Sequence, residues 1–255
     1  MIGFETEEEF LKTRKATIGG SDINTIRGKS RMNTRYRLFN YKKSNTTKES
    51  NKFMDAGNML EEPIRERFYN NRGLKEKLFT RNSKDAILYA SHPSFPYVVV
   101  HPDDIFNDIM LLEIKTTQKY VTQANIEAIV LEDYYDQWNF TLGVLLDNDP
   151  QRFSEHGFII VFSRGVDYYE VPVRFNRELY QECLEEAIKF KELMDNNTPP
   201  ELSDGDLDEV YTLSSDTNTI LTDEMKIRFN RLCRLIRIEK KLLKEKEELV
   251  FYFKR

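Results

Sequence analysis

This 255-residue chain has few cysteines, no long apolar segment and no excess of positive charge. Its two cysteines, Cys183 and Cys233, lie far apart and inside helical patterns, which is typical of buried, small apolar side chains. Because no CxxC pair is present, we expect neither a structural zinc site nor an iron–sulfur cluster.

No apolar run in the sequence is long enough to cross a bilayer, which argues against a membrane protein. The N-terminus, MIGFETEEEF, is acidic and has no apolar h-region, so it does not resemble a signal peptide. We therefore expect a soluble, cytoplasmic protein with no membrane partner. The formal net charge of -5 argues against a surface covered in positive charge, although a local basic groove could still bind nucleic acid.

Hydrophobic residues make up 40% of the chain, which is enough for a well-buried core in one large or two small domains. Apolar residues recur at helical spacing over residues 5–15, 53–71, 123–142 and 177–195. Short apolar runs bounded by turn residues predict strands over residues 86–90, 97–100, 109–114, 157–164 and 167–173. This order predicts an α+β fold, with a central mixed β-sheet flanked by helices.

The two ends of the chain carry more local signals. Near the N-terminus, Gly19 and Gly20 end the first helical segment, and Ser21 or Asp22 is expected to cap the next helix. Near the C-terminus, an acidic segment predicts a linker or loop, and the spacing of apolar residues after it predicts a long helix with a basic face. These signals divide the chain into a predicted domain over residues 1–200, an acidic linker or loop over residues 201–221, and a helical extension over residues 222–255.

The segment YVVVHPDDIFNDIMLLEIKTT, residues 97–117, is the most informative one for chemistry. In a strand, side chains alternate between faces, so Leu112 and Ile114 are expected to point into the core. Glu113 and Lys115 would then share the opposite face. They form either a partly exposed ion pair of little energetic value or part of a functional site.

Asp103 favours the functional alternative. Pro102 breaks the preceding strand, and Asn107-Asp108 suits a turn, so a chain that doubles back there would bring Asp103 near Glu113. Two carboxylates at a strand end form a hard-oxygen site that suits Mg²⁺ or Mn²⁺. Such an ion would polarise a phosphodiester and lower the pKa of a bound water, and Lys115 could orient that water or offset the developing charge.

Four blocks of the sequence resemble one known family. PDD followed ten residues later by EIK resembles the PD-(D/E)XK nuclease motif. RKATIGGSDI, AGNMLEEPIRERF and YYDQWNFTLGV resemble the R…IGGSD signature, the G-x-x-x-E helix and the Y-x-Q helix of YqaJ-type viral recombinases, the family of phage lambda exonuclease. The blocks occur in family order over roughly residues 1–200. The resemblance implies that this part is a nuclease domain with a restriction-endonuclease-like core.

The resemblance implies a role for each residue of the PDD and EIK blocks that could do chemistry. Asp103 and Glu113 would be metal ligands, and the backbone carbonyl of Ile114 would be a third. Lys115 would be the catalytic lysine. The implied cofactor is Mg²⁺, for which Mn²⁺ may be substituted in an assay.

The other three blocks would supply supporting groups. Glu61 would reach the metals or the attacking water from its helix, although the neighbouring Glu62 leaves the register open. Gln137 would lie near the site and orient water or DNA. Arg14 and Ser21 would bind the 5′-terminal phosphate, for which a guanidinium and a hydroxyl beside glycine-loop amides are suited.

The sequence departs from the family pattern at three positions. Asp104 stands where glycine is usual, which leaves open whether it shares the metal or only occupies a turn. Phe10 stands where a tryptophan is common, four residues before Arg14. His101 replaces a hydroxyl residue of some relatives, and either contact with DNA or no role at all is compatible with its position.

The activity that the resemblance implies is a metal-dependent 5′-to-3′ exonuclease acting on the ends of linear double-stranded DNA. It would leave 3′ overhangs for a single-strand annealing partner in phage or viral recombination, inside the host cell, and would form a ring-shaped homotrimer. Two alternatives remain open. A structure- or sequence-specific endonuclease could use the same core, and a DNA-binding module could use the basic face of the C-terminal helix. Iron–sulfur nucleases are excluded, because two cysteines are too few to hold their cluster.

Overall fold

The computed structural model describes residues 2–44, 52–74 and 87–206, together with separate helical positions between residues 227 and 246. The chain divides into two compact units, Met1–Asp206 and Leu207–Arg255. In the second unit, every described position is helical, within the range predicted for the C-terminal helix. Most of the predicted acidic linker, from residue 207 onwards, lies outside the described residues.

The first unit alternates helices and strands. Its α-helices, over the described residues, are α1 (Glu7–Thr13), α2 (Gly20–Ile26), α3 (Arg35–Lys43), α4 (Lys52–Asn70), α5 (Ile126–Asp133), α6 (Tyr135–Asn148) and α7 (Arg177–Asp195). Its strands are β1 (Ile2–Glu5), β2 (Ile87–Ser91), β3 (Val99–Val100), β4 (Asp104–Phe106), β5 (Met110–Thr117), β6 (His156–Ser163) and β7 (Asp167–Arg174). Where the chain is described, no helix is both long and apolar enough to span a membrane.

The strands form two sheets, and the larger one carries the PDD and EIK blocks. The smaller sheet has the order β1-β2-β3 and the larger one β4-β5-β6-β7. In the larger sheet β5 and β6 are parallel and the other neighbours are antiparallel. The sheet is therefore mixed and flanked by helices, as the order of sequence patterns predicts.

Two turns of this sheet have the backbone conformation that their residues favour. Asn107 and Asp108 have φ angles of 53° and 63°, in the left-handed region that Asn and Asp tolerate best after glycine. Arg164 and Gly165, with φ of 53° and 78°, connect β6 to β7. The first turn joins β4 to β5, so the chain doubles back as expected.

Several elements differ from the sequence-based expectation. Strand β1 and helix α3 are not predicted, because one is only four residues long and the other has few apolar residues. The helical stretch over residues 123–142 is two helices, since Tyr134 (φ -128°, ψ -23°) departs from helical geometry between them. The predicted cap is also wrong: Gly19 is the N-cap of α2, and the Asp22 carboxylate accepts from its backbone N–H at 2.9 Å.

Packing on both faces of the larger sheet decides the environment of the EIK block. Leu112 and Ile114 pack with Ile64 and Phe68 of α4, as the alternation of side chains predicts. Leu111, on the opposite face, belongs to the main core together with α6 residues such as Trp138. The face that Glu113 shares with Leu111 is therefore covered by a helix as well. Met59 of α4 lies away from this packing and is 78% exposed.

The close approach of β5, β6 and α6 gives a stability prediction at Gly157. A β-carbon there would lie 2.3 Å from the Leu111 carbonyl oxygen and 2.9 Å from Trp138 Cζ2. We expect Gly157→Ala to lower the free energy of unfolding by about 1–3 kcal/mol, since the crowding atoms are backbone and a buried ring. Urea unfolding followed by circular dichroism measures the change.

Gly205→Ala is the matched control, because its β-carbon would make an ordinary contact, 3.6 Å from Thr34 Cγ2. Equal stability of the Gly157 and Gly205 variants would contradict the close packing of β5 on β6.

Candidate active site

The turn between β4 and β5 brings the predicted acidic and basic groups together. Asp103 immediately precedes β4, and its Oδ2 accepts a hydrogen bond from the backbone N–H of Ile114 at 2.7 Å. Lys115 Nζ lies 2.8 Å from Glu113 Oε2 and 3.8 Å from Asp103 Oδ2. One ammonium group thus contacts both carboxylates. The Ile114 side chain packs on the α4 side of the sheet, and only its backbone faces this cluster.

Glu113 is a fully buried carboxyl group and not one half of a surface ion pair. Its exposed fraction is 0%. Burial, followed by repulsion from the Asp103 carboxylate, raises the pKa of Glu113 to about 8, although Lys115 partly offsets the rise. Burial alone would lower the pKa of Lys115, but the charges of Glu113 and Asp103 raise it above its usual value. One ammonium group therefore does not fully offset the burial of Glu113 and its repulsion by Asp103.

Gln137 of α6 covers the buried carboxylate from the helix side. Its Nε2 donates to Glu113 Oε2 at 3.2 Å. The sequence-based prediction that Gln137 lies near Glu113 therefore agrees with the geometry. The other carboxylate oxygen, Glu113 Oε1, is buried and has no hydrogen-bond partner among the described residues.

Glu61 approaches from α4 and is held by an arginine one turn later. The Glu61 carboxylate, 29% exposed, accepts a hydrogen bond from Arg65 Nη2. It also contributes to the raised pKa of Lys115, so its charge acts on the cluster. Glu62, the alternative register, is exposed.

Asp104 faces a different set of partners from Asp103. Its carboxylate accepts from the Tyr69 hydroxyl at 3.0 Å and from the Ile105 N–H at 2.8 Å, and it lies 3.6 Å from Arg65 Nε. Because neighbouring residues at the start of a strand point to opposite sides, Asp104 turns towards α4. The acidic residue at the usual glycine position thus joins a buried network next to the cluster.

Arg65 is the site residue that sequence analysis did not identify. Its side chain is 1% exposed, and one guanidinium contacts Glu61, the Asp103 carbonyl oxygen at 3.2 Å and the Asp104 carboxylate. The spacing of four residues from Glu61, next to the buried Ile64, is the sequence signal that could have indicated it. Arg65 therefore connects α4 to the residues that lead into β4.

The segment of residues 14–22, called the IGGSD loop, packs through its backbone beside β3 and α6. Ile18 donates its N–H to Tyr97 O at 2.7 Å and accepts from Val99 N at 2.9 Å, which fixes the loop beside β3. A β-carbon at Gly20 would lie 2.7 Å from Thr141 Oγ1 of α6. Only a glycine permits this close approach. Ser21, the next residue, is exposed.

Arg14 belongs to a small aromatic and charged group at the other end of this loop. Its guanidinium lies 5.2 Å from the centre of the Phe10 ring, which packs edge-on against His101 at 4.7 Å. His101 Nε2 lies 2.5 Å from Glu5 Oε1. Burial lowers the pKa of His101, an effect that Glu5 partly offsets and Arg14 reinforces. Phe10, which stands where a tryptophan is common, thus makes a cation–π contact with Arg14.

A family model covers the part of the chain that contains these groups. The model of the YqaJ-like viral recombinase domain matches residues 9–144, which include every predicted site residue from Arg14 to Gln137. The chain belongs to this family. The match extends from α1 to α6 and therefore includes the IGGSD loop, α4 and the β4–β5 turn. No curated protein matches the chain.

Solved structures with the same fold cover most of the chain. An alkaline exonuclease from Laribacter hongkongensis has 18% identity and a TM-score of 0.55, over 81% of this chain and 99% of that one. A structure of the same enzyme in complex with dAMP has 19% identity and a TM-score of 0.55, over 75% and 94%. A phage-related exonuclease from Haemophilus somnus has 14% identity and a TM-score of 0.53, over 71% and 94%. The likeness confirms the predicted fold.

The residues of the cluster fit a divalent metal ion of the kind that the family implies. Asp103 and Glu113 converge, Glu113 Oε1 lacks a hydrogen-bond donor, and the local charge is not fully compensated. Within the described ranges there is no group of three or more His, Cys, Asp or Glu residues arranged to hold a metal. This composition suits Mg²⁺, which commonly uses one or two carboxylates and completes its shell with water and substrate phosphate.

The Arg65 network gives a second stability prediction. We expect Arg65→Met to lower the free energy of unfolding by about 3 kcal/mol, because it leaves the buried Asp104 carboxylate without its cation. The variant Arg65→Met/Asp104→Asn should recover part of this loss, since the uncompensated charge is removed as well. Arg67→Met, at an exposed position of the same helix, is the control and should change stability by less than about 1 kcal/mol. Equal losses of unfolding free energy in Arg65→Met and Arg67→Met, measured by urea titration, would contradict this account.

Proposed function

We propose that the protein is a Mg²⁺-dependent exonuclease that degrades the 5′-ended strands of linear double-stranded DNA and leaves 3′ overhangs. The observation that carries the proposal is the buried Glu113 carboxylate, which lies beside Lys115 and Asp103 and has an oxygen without a hydrogen-bond donor. Family membership and the fold shared with an alkaline exonuclease and a phage-related exonuclease support it.

The metal would be held by groups from the residue before β4, from β5 and from α4. Asp103, Glu113 and the backbone carbonyl of Ile114 would be the ligands, and Glu61 would support the ion or its water from α4. When bound, the ion would polarise the scissile phosphate and lower the pKa of the attacking water, and Mn²⁺ would replace Mg²⁺ in this role.

Lys115 and Gln137 both donate to Glu113 Oε2, and they would have different roles. The Lys115 ammonium, fixed between two carboxylates, would orient the attacking water and offset the negative charge that develops on the phosphate. Gln137 would hold Glu113 Oε2 through its amide N–H, so that the other oxygen stays directed towards the ion. No residue of the protein needs to act as a nucleophile in this scheme.

The 5′ polarity would come from the IGGSD loop. Arg14 and Ser21 would bind the 5′-terminal phosphate through a guanidinium and a hydroxyl group. The contact of Gly20 with α6 at Thr141 supports this assignment, because Gln137 lies one turn earlier on the same helix and bonds to Glu113. A terminal phosphate bound by the loop would thus be linked to the site of cleavage.

The proposed assembly and biological role follow the family. The protein would form a homo-oligomeric ring, a trimer, around DNA and would deliver its 3′ overhangs to a single-strand annealing protein in the host cell of a phage or virus. A ring would allow a chain of net charge -5 to hold DNA, with basic side chains reserved for the central channel.

Linear duplex DNA labelled at one 5′ end or one 3′ end, incubated with Mg²⁺ beside a covalently closed circle, tests this function. We expect metal-dependent release of the 5′ label as mononucleotides, while the circle stays intact. EDTA should stop the reaction, and Mn²⁺ should restore it. Nicking or linearisation of the circle would indicate an endonuclease on the same core. Binding without cleavage in either metal would indicate a DNA-binding module.

The roles of Glu113 and Lys115 give a prediction for two nearly isosteric variants. We expect Glu113→Gln and Lys115→Met each to lower the cleavage rate by at least about a hundredfold, because each removes a charge that acts on the reacting phosphate. DNA binding measured with Ca²⁺ in place of Mg²⁺ should persist. Lys189→Met, on the exposed side of α7, should cleave like the original protein. Retained activity of both active-site variants would contradict the assignment.

A further inference from the structure

A buried lysine of α3 lies under the loop that carries Arg14 and Ser21. The Lys42 side chain is 1% exposed. Its ammonium donates to Arg14 O at 2.8 Å, to Thr17 O at 2.7 Å and to Asp22 Oδ2 at 2.6 Å. An ammonium group has three N–H donors, so all of them are used. Burial of a lysine is costly unless its charge is paired and its donors are satisfied, and here both conditions hold.

The three acceptors of Lys42 are spread along the loop. Arg14 O and Thr17 O belong to its first half, and the Asp22 carboxylate belongs to the first turn of α2. Asp22 also accepts from the Gly19 N–H at 2.9 Å, so its carboxylate is fixed between the loop and Lys42. The ammonium thereby joins the segment that ends at Arg14 to the segment that begins at Ser21.

Other contacts fix single parts of the loop. The backbone of Ile18 pairs with Tyr97 and Val99, and Gly20 packs on Thr141. Near Arg14, the Lys15 ammonium donates to Ser44 O at 2.7 Å. The Lys42 ammonium differs from these groups because its hydrogen bonds reach both the Arg14 end and the Asp22 end.

We propose that Lys42 is a positioning residue for recognition of the 5′-terminal phosphate, an inference that rests on the proposed phosphate site at Arg14 and Ser21. Lys42 does not bind the phosphate itself, because its three donors are occupied and its side chain is buried. It fixes the separation of the guanidinium and the hydroxyl before DNA arrives. Such preorganisation favours the one ligand geometry that matches both groups.

The test compares cleavage of duplexes that carry a 5′-phosphate with cleavage of otherwise identical duplexes that carry a 5′-hydroxyl. Lys42→Met removes the three donors. The double variant Lys42→Met/Asp22→Asn removes the charge of both partners and keeps an amide oxygen that can accept from Gly19, so it folds without an unpaired buried carboxylate. Lys43→Met is the matched control, since the adjacent lysine is exposed and donates instead to Met194 O of α7. Arg14→Ala serves as the reference for loss of phosphate contact.

We expect the ratio of the 5′-phosphate rate to the 5′-hydroxyl rate to fall by about tenfold in both Lys42 variants, because charge-assisted phosphate contacts are weakened. The same ratio should fall in Arg14→Ala. The 5′-hydroxyl rate should stay within about threefold of that of the original protein at a temperature below each variant's melting midpoint. Lys43→Met should keep the original ratio. A purely structural role would lower both rates together and leave the ratio unchanged.

Two results would overturn the inference in different ways. An unchanged ratio in the folded double variant, with a reduced ratio in Arg14→Ala, would remove the positioning role of Lys42 and keep the phosphate site. A ratio near one in the original protein would overturn the phosphate site itself, and with it the role of Lys42.

Discussion

A carboxylate with no exposed surface has to be compensated by its neighbours, and Glu113 imposes this requirement on the centre of the domain. Lys115 and Gln137 donate to one of its oxygens, whereas Asp103 adds a second negative charge instead of a donor. The result is a cluster in which one ammonium faces two carboxylates and one buried oxygen has no donor. Stability alone would favour an apolar residue at this position of a strand that is buried on both faces. The proposed cation and substrate phosphate would supply the compensation that the described neighbours do not provide.

Two further buried cations fix the segments around this cluster, one on each side of the site. Arg65 connects α4 to the residues at the start of β4, and Lys42 connects α3 to the IGGSD loop. Neither side chain is exposed enough to contact DNA directly. Both donate to backbone carbonyl oxygens as well as to carboxylates, so each fixes the path of the chain and not only a side chain. An anionic site whose own groups repel one another needs such supports, since the repulsion would otherwise separate its segments.

The sequence predicts the part of this arrangement that depends on local rules. Alternation along β5 separates Glu113 and Lys115 from Leu112, and the Asn107-Asp108 turn returns Asp103 to them. The mixed sheet and the second hairpin follow from apolar runs and turn residues in the same way. The role of Lys42 could not be predicted so, because nothing in its spacing distinguishes it from Lys43. Arg65 carries only one local signal, its spacing of four residues from Glu61, and its contacts with Asp103 and Asp104 depend on the fold. Lys42 is buried only because a loop some twenty residues earlier folds over it, and β1 is a strand only because β2, far along the chain, provides its partner.

The contact between the IGGSD loop and α6 bears on where a nuclease of this kind would cut. Gly20 meets Thr141, and Gln137 on the same helix bonds to Glu113, so the loop and the carboxylates are connected through one rigid element. A terminal phosphate held by the loop would lie at a fixed offset from the cleavage centre, and cleavage would be measured from the DNA end. An endonuclease gains nothing from such an offset, because it must accept duplex on both sides of the cut. The absence of a side chain at Gly20 permits this contact, since a β-carbon there would lie 2.7 Å from Thr141 Oγ1. A larger residue would push the loop away from α6 and would separate the proposed end recognition from cleavage.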